Sequence, residues 1–515
     1  MSIASIIIVF FGGILSASGC EPLGWWIAPW FGLSVLWWSL SKNKSYRNSI
    51  ILGLTWGLGY HGFVLSWILG IHPMTWLGVP WFYSLLIAMA CWLLVSIYGA
   101  SLVVFWSLGL TFLYKRTPDH HHHHIILGGV ALWLALEGIY SYTPLWWSSL
   151  SLTQSPHNLE ILQLGSLTGP SAVVALLVTI NGLFAHYLSN SSKKRNIYIL
   201  LAIVLYSLAW LVGFSMHHRP ISDREQGFKI GLIQGNIANE IKLYPAGFIK
   251  AIDGYRQGYE ELAQQGAQMV ITPETALPFF WDDLKSGSFY KSVVRAKIPV
   301  LLGGFGRSDG GYTNSLFMLN PDAQIMGQYD KTKLVPLGEY IPFEEILGRF
   351  IQRLSPLKNR LQPGQQEQIL NSPFGKVIIG ICYESAYSEL FRRQTRAGGV
   401  YIVTASNDAH YSKAMPAQHH GQDVMRAIEN DRWTARVTNT GYSAIITPRG
   451  DLVWKSSLNE YQTHSDMIYT RSSQTFYVRF GDWLSWSLLF LASLDLFFIS
   501  KKQSPKIKET QTTNK

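Results

Sequence analysis

The chain has 515 residues, of which 48% are hydrophobic and only 14% are charged, and it contains 20 Trp. Soluble domains carry roughly 25% charged residues, so this composition argues against an ordinary soluble protein and favours a membrane protein with one soluble domain. The net charge of +10 does not indicate a nucleic-acid partner, because the basic residues lie mostly in short clusters beside apolar segments. The cysteines, Cys20, Cys91 and Cys382, imply no disulfide framework.

Residues 1–222 are predicted to form a transmembrane domain. A helix needs about 20 residues to cross roughly 30 Å of hydrocarbon, and seven apolar stretches approach or exceed that length: residues 3–19, 24–41, 49–71, 81–113, 125–141, 167–189 and 197–216. The first is expected to stay as an uncleaved helix, and the fourth is long enough to require tilt or an interfacial extension. An eighth stretch, residues 483–500, is predicted to be a C-terminal transmembrane helix.

The basic residues predict the orientation of these spans. They cluster after every even-numbered span, and the clusters are Lys42, Lys44 and Arg47; Lys115 and Arg116; Lys193, Lys194 and Arg195; Lys501 and Lys502. Loops rich in Lys and Arg stay in the cytoplasm. The C-terminus is therefore predicted to be cytoplasmic, and the soluble region after the seventh span to lie outside the cytoplasm.

Two polar features of the membrane part have more than one interpretation. A run of five histidines at residues 120–124 could bind metal adventitiously, but a solvated loop insertion is the better interpretation. Glu137 lies in the fifth predicted span. An ionisable residue there indicates a function or a buried pair, whereas a position near the membrane interface would need neither, and the sequence leaves both open.

Residues 226–470 have a different composition, in which charges are frequent and short apolar runs alternate with amphipathic stretches. The predicted strands are residues 229–234, 269–272, 300–304, 315–319, 377–382, 400–405 and 443–447. The predicted helices are residues 245–265, 387–397 and 419–437. Strands that alternate with helices indicate an α/β architecture.

Three stretches of this region supply candidate catalytic residues. Residues 377–384, VIIGICYE, place Cys382 where an apolar strand ends. Such a cysteine is often only a small hydrophobe in a core. However, residues 268–278 carry Glu274 after another short strand, and residues 328–342 carry Lys331 and Glu339 in a segment punctuated by Pro and Gly. A nucleophilic thiol needs a carboxylate to take its proton and a cation where the oxyanion develops, and these residues provide both.

The motifs carry a family resemblance. The ordered set PETA, Y-x-K-x-x-LVP-x-GE and CYE resembles the carbon-nitrogen hydrolase (nitrilase) superfamily. The forms LVPLGEYIP and ICYE, with SNDA at residues 406–409 and a multispanning part in front, resemble the apolipoprotein N-acyltransferase family. The resemblance implies an α-β-β-α sandwich for residues 226–470. It also implies roles for single residues: Glu274 as general base, Lys331 as oxyanion stabiliser, Cys382 as nucleophile, and Glu339, Tyr383 and Glu384 as further active-site residues.

The resemblance further implies an acyltransferase. Such an enzyme moves a fatty acyl chain from a membrane phospholipid, through a thioester on Cys382, to the N-terminal α-amine of the diacylglyceryl-cysteine of an apolipoprotein, with ping-pong kinetics. It would be a multi-pass protein of the bacterial inner membrane with a periplasmic catalytic domain. No cofactor or metal is expected, since no motif for either appears. The sequence departs from the family at His410 and Leu243, where Trp is common, which puts acyl-chain or lipoprotein contacts in doubt.

Two other functions are compatible with parts of the sequence. A membrane-tethered amidase or nitrilase acting on small carbon-nitrogen substrates would use the same Glu, Lys and Cys. A transporter or channel with an inactive extracytoplasmic domain would need more charged residues in its spans than the chain has, and its site would not need to be intact.

Residues 343–354, FEEILGRFIQRL, have apolar side chains at helical spacing with arginines on the other side. They predict an amphipathic helix directly after Glu339. The helix could pack against its own sheet or lie in the lipid headgroup layer as a lid. We favour the lid, with Phe343, Phe350 and Ile351 as its candidate lipid contacts.

Overall fold

The computed structural model describes residues 2–117, 122–190, 195–221, 226–336, 338–340, 361–409 and 411–503. Each of the eight predicted apolar stretches contains a helix. The helices that precede the soluble region are α1 (Ile3–Ala17), α2 (Pro29–Lys42), α3 (Tyr46–Val64), α4 (Trp81–Arg116), α5 (His122–Tyr140), the short α6 (Leu159–Leu162) and α7 (Gly165–Thr168), α8 (Pro170–Ser189) and α9 (Asn196–His217).

The structure confirms several apolar helices before the soluble region but does not fix the number of membrane spans. Among the described residues, α4, α5, α8 and α9 are long and apolar enough to cross a membrane, and α4 has 36 residues. The helix α1 and residues 483–499 are apolar but shorter. Several apolar helices are therefore present as predicted, whereas the count of eight spans stays a prediction.

Small residues let these helices pack closely, and apolar side chains cover their outer surface. A Cβ on Gly13 of α1 would lie 2.2 Å from the Trp56 carbonyl oxygen on α3, and one on Gly59 would lie 2.4 Å from that of Phe10. Backbones that approach so closely at glycines are typical of membrane helices. In α9, only 11% of the most apolar 18-residue segment is buried within the protein. Such an exposed apolar surface requires contact with lipid or another apolar partner.

The remaining elements follow in chain order: β1 (Gly227–Gln234), α10 (Asn239–Lys242), α11 (Pro245–Gln264), β2 (Met269–Ile271), α12 (Trp281–Leu284), α13 (Ser288–Ala296), β3 (Val300–Ser308), β4 (Gly311–Leu319), β5 (Ile325–Asp330), β6 (Leu370–Ser372), β7 (Gly375–Ile381), α14 (Ser388–Arg396), β8 (Tyr401–Ser406), α15 (Ala414–Asn430), β9 (Thr434–Thr438), β10 (Ala444–Ile446), β11 (Leu452–Lys455), β12 (Gln462–Tyr469), α16 (Phe476–Phe480) and α17 (Trp483–Gln503).

The strands form two six-stranded sheets, in the orders β12-β1-β2-β3-β4-β5 and β11-β10-β9-β8-β7-β6. Apolar side chains from both sheets, such as Ile271 and Ile379, form one buried cluster between them. On its outer face the first sheet packs against α11 and α13 through residues such as Tyr259 and Phe289. The second sheet packs against α14 through Phe391. The four-layer α-β-β-α arrangement implied by the resemblance is confirmed.

Several predictions for single elements need correction. The predicted helix at residues 419–437 is wrong in its second half, because α15 ends at Asn430, Asp431 adopts a positive φ of 53°, and β9 follows. The histidine run was predicted to lie in a loop, but its last three residues begin α5, and His124 pairs with Asp495 of α17. The three lid candidates, Phe343, Phe350 and Ile351, and His410 lie outside the described residues.

The helix α15 connects the soluble domain to the membrane part. Its buried side chains Val424, Met425 and Ile428 belong to the same apolar cluster as Trp147 and Leu152, which precede α8. The Ser155 hydroxyl donates a hydrogen bond to the Gly421 carbonyl oxygen over 2.6 Å. Any residue carried by α15 is therefore positioned by both parts of the chain.

Candidate active site

Cys382 lies at the carboxyl end of β7, at the start of a short 3-10 turn, Cys382–Ala386. The residue is 6% exposed and has a φ of +52°. A residue other than glycine is strained in this region, and such strain concentrates at functional sites. The strand therefore ends in a turn that fixes the direction of the thiol.

Glu384 holds this turn in place. One carboxylate oxygen accepts a hydrogen bond from the Ile381 backbone N–H over 2.8 Å, and the other accepts one from the Thr332 N–H over 2.6 Å. The same second oxygen accepts the Thr332 hydroxyl over 2.7 Å. Glu384 thus ties the cysteine turn to the segment that carries Lys331. The resemblance implied an active-site position for Glu384, and its contacts here are with the backbone and hydroxyl groups that hold the turn.

Lys331 lies between two carboxylates. Its Nζ donates to Glu274 Oε1 and to Glu339 Oε1, each over 2.9 Å. Lys331 is 1% exposed and Glu274 is 6% exposed. Three of the predicted residues, Glu274, Lys331 and Glu339, therefore meet in one buried ion cluster although their segments are well separated in the sequence.

Two amides that the sequence analysis missed complete the cluster. Asn314 on β4 donates through Nδ2 to Glu274 Oε1 over 2.7 Å and to Glu339 Oε1 over 3.0 Å. The backbone N–H of Asn407, just after β8, donates to Glu274 Oε2 over 2.9 Å. Both Glu274 oxygens are thus held, which directs the carboxylate into the site. Asn407 lies within the SNDA motif, whereas Asn314 has no signal in the sequence.

The charges of the cluster oppose the effect of burial. Burial alone would raise the pKa of Glu274, but Lys331 and the hydrogen bonds to it hold that pKa below its ordinary value. Burial would lower the pKa of Lys331, but Glu274 and Glu339 raise it well above its ordinary range. Near neutral pH the cluster therefore contains an ionised Glu274 and an ammonium on Lys331.

The Cys382 thiol lies within electrostatic reach of this cluster. Burial raises its pKa well above the ordinary value, Glu274 raises it further, and Lys331 lowers it. The resting thiol therefore keeps its proton, so that proton transfer to a base has to accompany attack on a substrate. The ionised Glu274 is chemically able to accept that proton.

A second buried lysine is a further residue that sequence reasoning missed. Lys242 ends α10, is 3% exposed, and donates through Nζ to the Glu274 backbone oxygen over 3.0 Å. Burial lowers its pKa to about 8, against the opposing effect of Glu274 and Cys382. Lys242 directly precedes Leu243, where the sequence departs from the family, and this position was the only signal in the sequence that pointed to it. Leu243 packs beside Phe305, Leu334 and Leu361 in a small apolar cluster.

Tyr383 connects the cysteine turn to the membrane part. Its hydroxyl donates to the carbonyl oxygens of Pro144 and Trp146, over 2.9 and 2.8 Å. Its ring stacks on that of Trp147, with centroids 6.0 Å apart and an interplanar angle of 6°. The loop after α5 therefore forms one wall beside the nucleophile candidate, and Tyr383 serves as the contact.

Comparisons with known proteins cover both parts of the chain. Family models described as Carbon-nitrogen hydrolase and Apolipoprotein N-acyltransferase N-terminal domain match residues 229–470 and 12–183. An apolipoprotein N-acyltransferase of Nostoc sp. is 48% identical over 93% of this chain and 97% of that protein. One of Synechocystis sp. is 43% identical over 92% of this chain and 96% of that protein. The chain belongs to the apolipoprotein N-acyltransferase family.

The resemblance inferred from the motifs is therefore confirmed, and the acyltransferase interpretation is supported over the amidase alternative. A solved structure from Saccharomyces cerevisiae, described as a member of branch 10 of the nitrilase superfamily, is similar to 48% of this chain and 92% of its own, at 18% identity and a TM-score of 0.36.

Proposed function

We propose that this member of the apolipoprotein N-acyltransferase family transfers a fatty acyl chain from a membrane phospholipid to the N-terminal α-amine of a diacylglyceryl-cysteine in apolipoproteins. Glu274, Lys331 and Cys382 are its catalytic residues, and Glu339, Tyr383 and Glu384 support them. The observation that carries this proposal is the buried cluster of Glu274, Lys331 and Glu339 within electrostatic reach of the Cys382 thiol. Family membership over 93% of the chain supplies the substrates.

The first half-reaction forms a thioester. Glu274 accepts the Cys382 proton while the sulfur attacks an ester carbonyl carbon of the phospholipid. The Lys331 ammonium stabilises the oxyanion of the tetrahedral intermediate. The carbon–oxygen bond then breaks, and the leaving alkoxide takes the proton from Glu274 and departs as a lysophospholipid.

The second half-reaction forms an amide. The neutral α-amine of the diacylglyceryl-cysteine attacks the thioester carbon and gives its proton to Glu274 as the carbon–nitrogen bond forms. The carbon–sulfur bond breaks, and the thiolate recovers a proton from Glu274. The burial of Cys382, at 6% exposure, limits hydrolysis of the thioester by water.

The membrane part accounts for the location of the reaction. We infer a multi-pass protein of the bacterial inner membrane in which residues 1–222 and 483–500 span the bilayer and residues 226–470 face the periplasm. Both proposed substrates have acyl chains in the outer leaflet, so a site held at that surface meets them by lateral diffusion. The contact of Tyr383 with Pro144 and Trp146 supports a site beside the membrane part.

The proposed lid has its own test. Phe350→Ser combined with Ile351→Ser removes the apolar face of the predicted amphipathic helix while leaving its arginines. We expect a higher apparent KM for phospholipid in mixed micelles and an unchanged melting temperature, because the helix would contact lipid rather than the domain core. Unchanged lipid kinetics, or a lower melting temperature, would contradict the lid.

Incubation with acyl-labelled phospholipid and a synthetic diacylglyceryl-peptide tests the function itself. We expect label to pass to a peptide with a free α-amine and not to an N-acetylated peptide of the same sequence. Cys382→Ser should abolish the transfer. Release of ammonia from small amides, with no labelled peptide, would favour the tethered amidase instead.

A further inference from the structure

A fully buried histidine lies directly behind the cysteine turn. His419 is on α15, and its Nε2 is 2.8 Å from the carbonyl oxygen of Cys382. Its Nδ1 is 3.1 Å from Asp408 Oδ1. Its ring packs against that of Trp147 at an interplanar angle of 64°, with centroids 5.7 Å apart. Its exposure is 0%, so both nitrogens depend on these partners.

The two partners determine the protonation of the ring. A backbone carbonyl oxygen can only accept, so Nε2 must carry a hydrogen. Asp408 also accepts, because it is a carboxylate whose other oxygen already receives a hydrogen bond from the Arg436 guanidinium over 3.0 Å. Nδ1 must therefore carry a hydrogen too. An imidazole with hydrogens on both nitrogens is a cation.

The surrounding charges balance such a cation. Arg436 pairs with Asp423 as well as with Asp408, and all three residues are buried. With His419 neutral, this cluster would hold two carboxylates against one guanidinium. With His419 charged, two anions face two cations, which is the arrangement that buried charges require.

We propose that His419 is a positioning residue for the nucleophile: as a buried imidazolium it anchors the Cys382 carbonyl and places positive charge beside the thiol. The Cys382 sulfur, a carboxylate oxygen of Asp408 and a ring nitrogen of His419 lie within 4.8 Å of one another. The hydrogen bond supports the strained backbone at Cys382, whose φ is +52°. The negative charge of Asp408 disfavours a thiolate on Cys382, and the positive charge of His419 offsets that effect.

His419 is neither a metal ligand nor a residue that touches substrate. Both of its nitrogens already face oxygen acceptors, so neither offers a lone pair to a metal. The charged groups around Cys382 and His419 are Lys242, Glu274, Lys331, Glu339, Asp408, Asp423 and Arg436. Removing only the imidazolium takes one positive charge away from these groups and leaves the number of anions unchanged. The inference depends on Cys382 being the nucleophile of the proposed function.

His419→Gln provides the test, because the glutamine amide reaches the place of Nε2 and still donates to the carbonyl, but carries no charge. We expect the alkylation rate of Cys382 by iodoacetamide at fixed pH to fall about 10-fold, and its pH profile to move to higher pH by about one unit. The matched control is His420→Gln. His420 is the next residue of α15, and burial lowers its pKa to about 3, so it is neutral. Equal alkylation rates and profiles in the two variants would overturn the proposal.

A measurement on the unaltered protein remains decisive if His419→Gln does not fold. Nitrogen-15 NMR of histidine-labelled protein in lipid should show one buried histidine that carries hydrogens on both ring nitrogens. Buried histidines that all carry a single ring hydrogen would overturn the proposal. Neither the alkylation rate nor the NMR spectrum depends on phospholipid. A failure to form an acyl thioester would therefore overturn the proposed function without deciding the protonation of His419.

Discussion

At the scale of single residues, the site combines groups whose charge states depend on one another. Lys331 is held as a cation by Glu274 and Glu339, and Glu274 is held as an anion by Lys331. The pairs are buried, so each charge is retained only because its partners are present. Lys242 is the exception, because its Nζ donates to a neutral carbonyl oxygen and burial dominates.

Lys242 should make the stability of the protein depend on pH. In the folded state its pKa is about 8, whereas an exposed lysine titrates near 10.4. Between these values the unfolded chain binds more protons, so stability rises with pH. We expect the melting temperature of the wild type to rise relative to Lys242→Met between about pH 8 and about pH 10, measured by thermal unfolding in detergent. A constant difference across this range would contradict the assignment.

Lys250→Met is the matched control for that comparison. Lys250 also donates to a backbone oxygen, that of Asn236, over 3.0 Å, but it is exposed. Lys250→Met therefore controls for the loss of a lysine and of its hydrogen bond to a backbone oxygen, and the two variants differ in whether the removed amine was buried.

Some site residues could be predicted from the sequence and others could not, for a physical reason. Glu274 and Cys382 each follow an apolar strand, and all three of Glu274, Lys331 and Cys382 lie in motifs, so their segments were recognisable. Asn314 lies inside a strand, and His419 lies inside a helix whose bounds were predicted wrongly. Their roles arise from contacts between distant segments, and no local pattern encodes such contacts.

At the scale of elements, the turn Cys382–Ala386 connects the soluble domain to the loop after α5. Tyr383 and Tyr387 both donate to backbone oxygens of that loop, Tyr387 to Thr143 over 3.0 Å. The predicted strands contained apolar runs, and the structure confirms them within a few residues. The strands β5 and β12 were missed because they are half exposed and largely polar, so they lack such runs.

Tyr383→Phe should slow acylation of Cys382. The change keeps the ring stack with Trp147 and removes the hydroxyl that donates to Pro144 and Trp146. Carbonyl groups left without a donor cost about 1–3 kcal/mol, and about 1.4 kcal/mol in the transition state is a tenfold rate change. We expect single-turnover thioester formation to slow about 10-fold, and to slow less in Tyr387→Phe, which is four residues further from the nucleophile. Equal rates in the two variants would argue against a specific role for Tyr383.

At the scale of the whole molecule, one continuous apolar cluster joins the membrane helices to α15, so the two parts are packed as one unit around the site. Glu137 of α5 supports this packing from within the membrane part. Its carboxylate accepts hydrogen bonds from Trp133 Nε1 over 3.0 Å, Ser149 Oγ over 2.9 Å and Leu150 N over 3.1 Å. The carboxylate is therefore buried and held by three neutral donors.

Glu137→Gln and Glu137→Leu should therefore differ. Glutamine keeps an acceptor for Trp133 and Leu150, and Ser149 can reverse its hydroxyl to accept from the amide. Leucine leaves buried donors unsatisfied, at about 1–3 kcal/mol. We expect Glu137→Leu to lower the melting temperature and the rate of thioester formation, and Glu137→Gln to change both much less. If Glu137→Gln were as damaging as Glu137→Leu, the negative charge itself would be required.

Topology is the property of the whole molecule that the sequence predicts and the fold alone does not test. The helices lie where the apolar stretches predicted them, but their orientation depends on which loops face the cytoplasm. The basic clusters predict that orientation through the membrane potential and the insertion machinery, which leave no mark on helix packing.

The most direct test of the account is the mass of the intact protein after incubation with a phospholipid of defined acyl chains. We predict that the wild type gains the mass of one acyl group, that hydroxylamine removes it, and that peptide mapping assigns it to Cys382. Cys382→Ser should gain no mass that hydroxylamine removes. A wild-type protein that stays unmodified while phospholipid is consumed, or an acyl group on any other residue, would contradict the central claim that Cys382 carries the acyl chain.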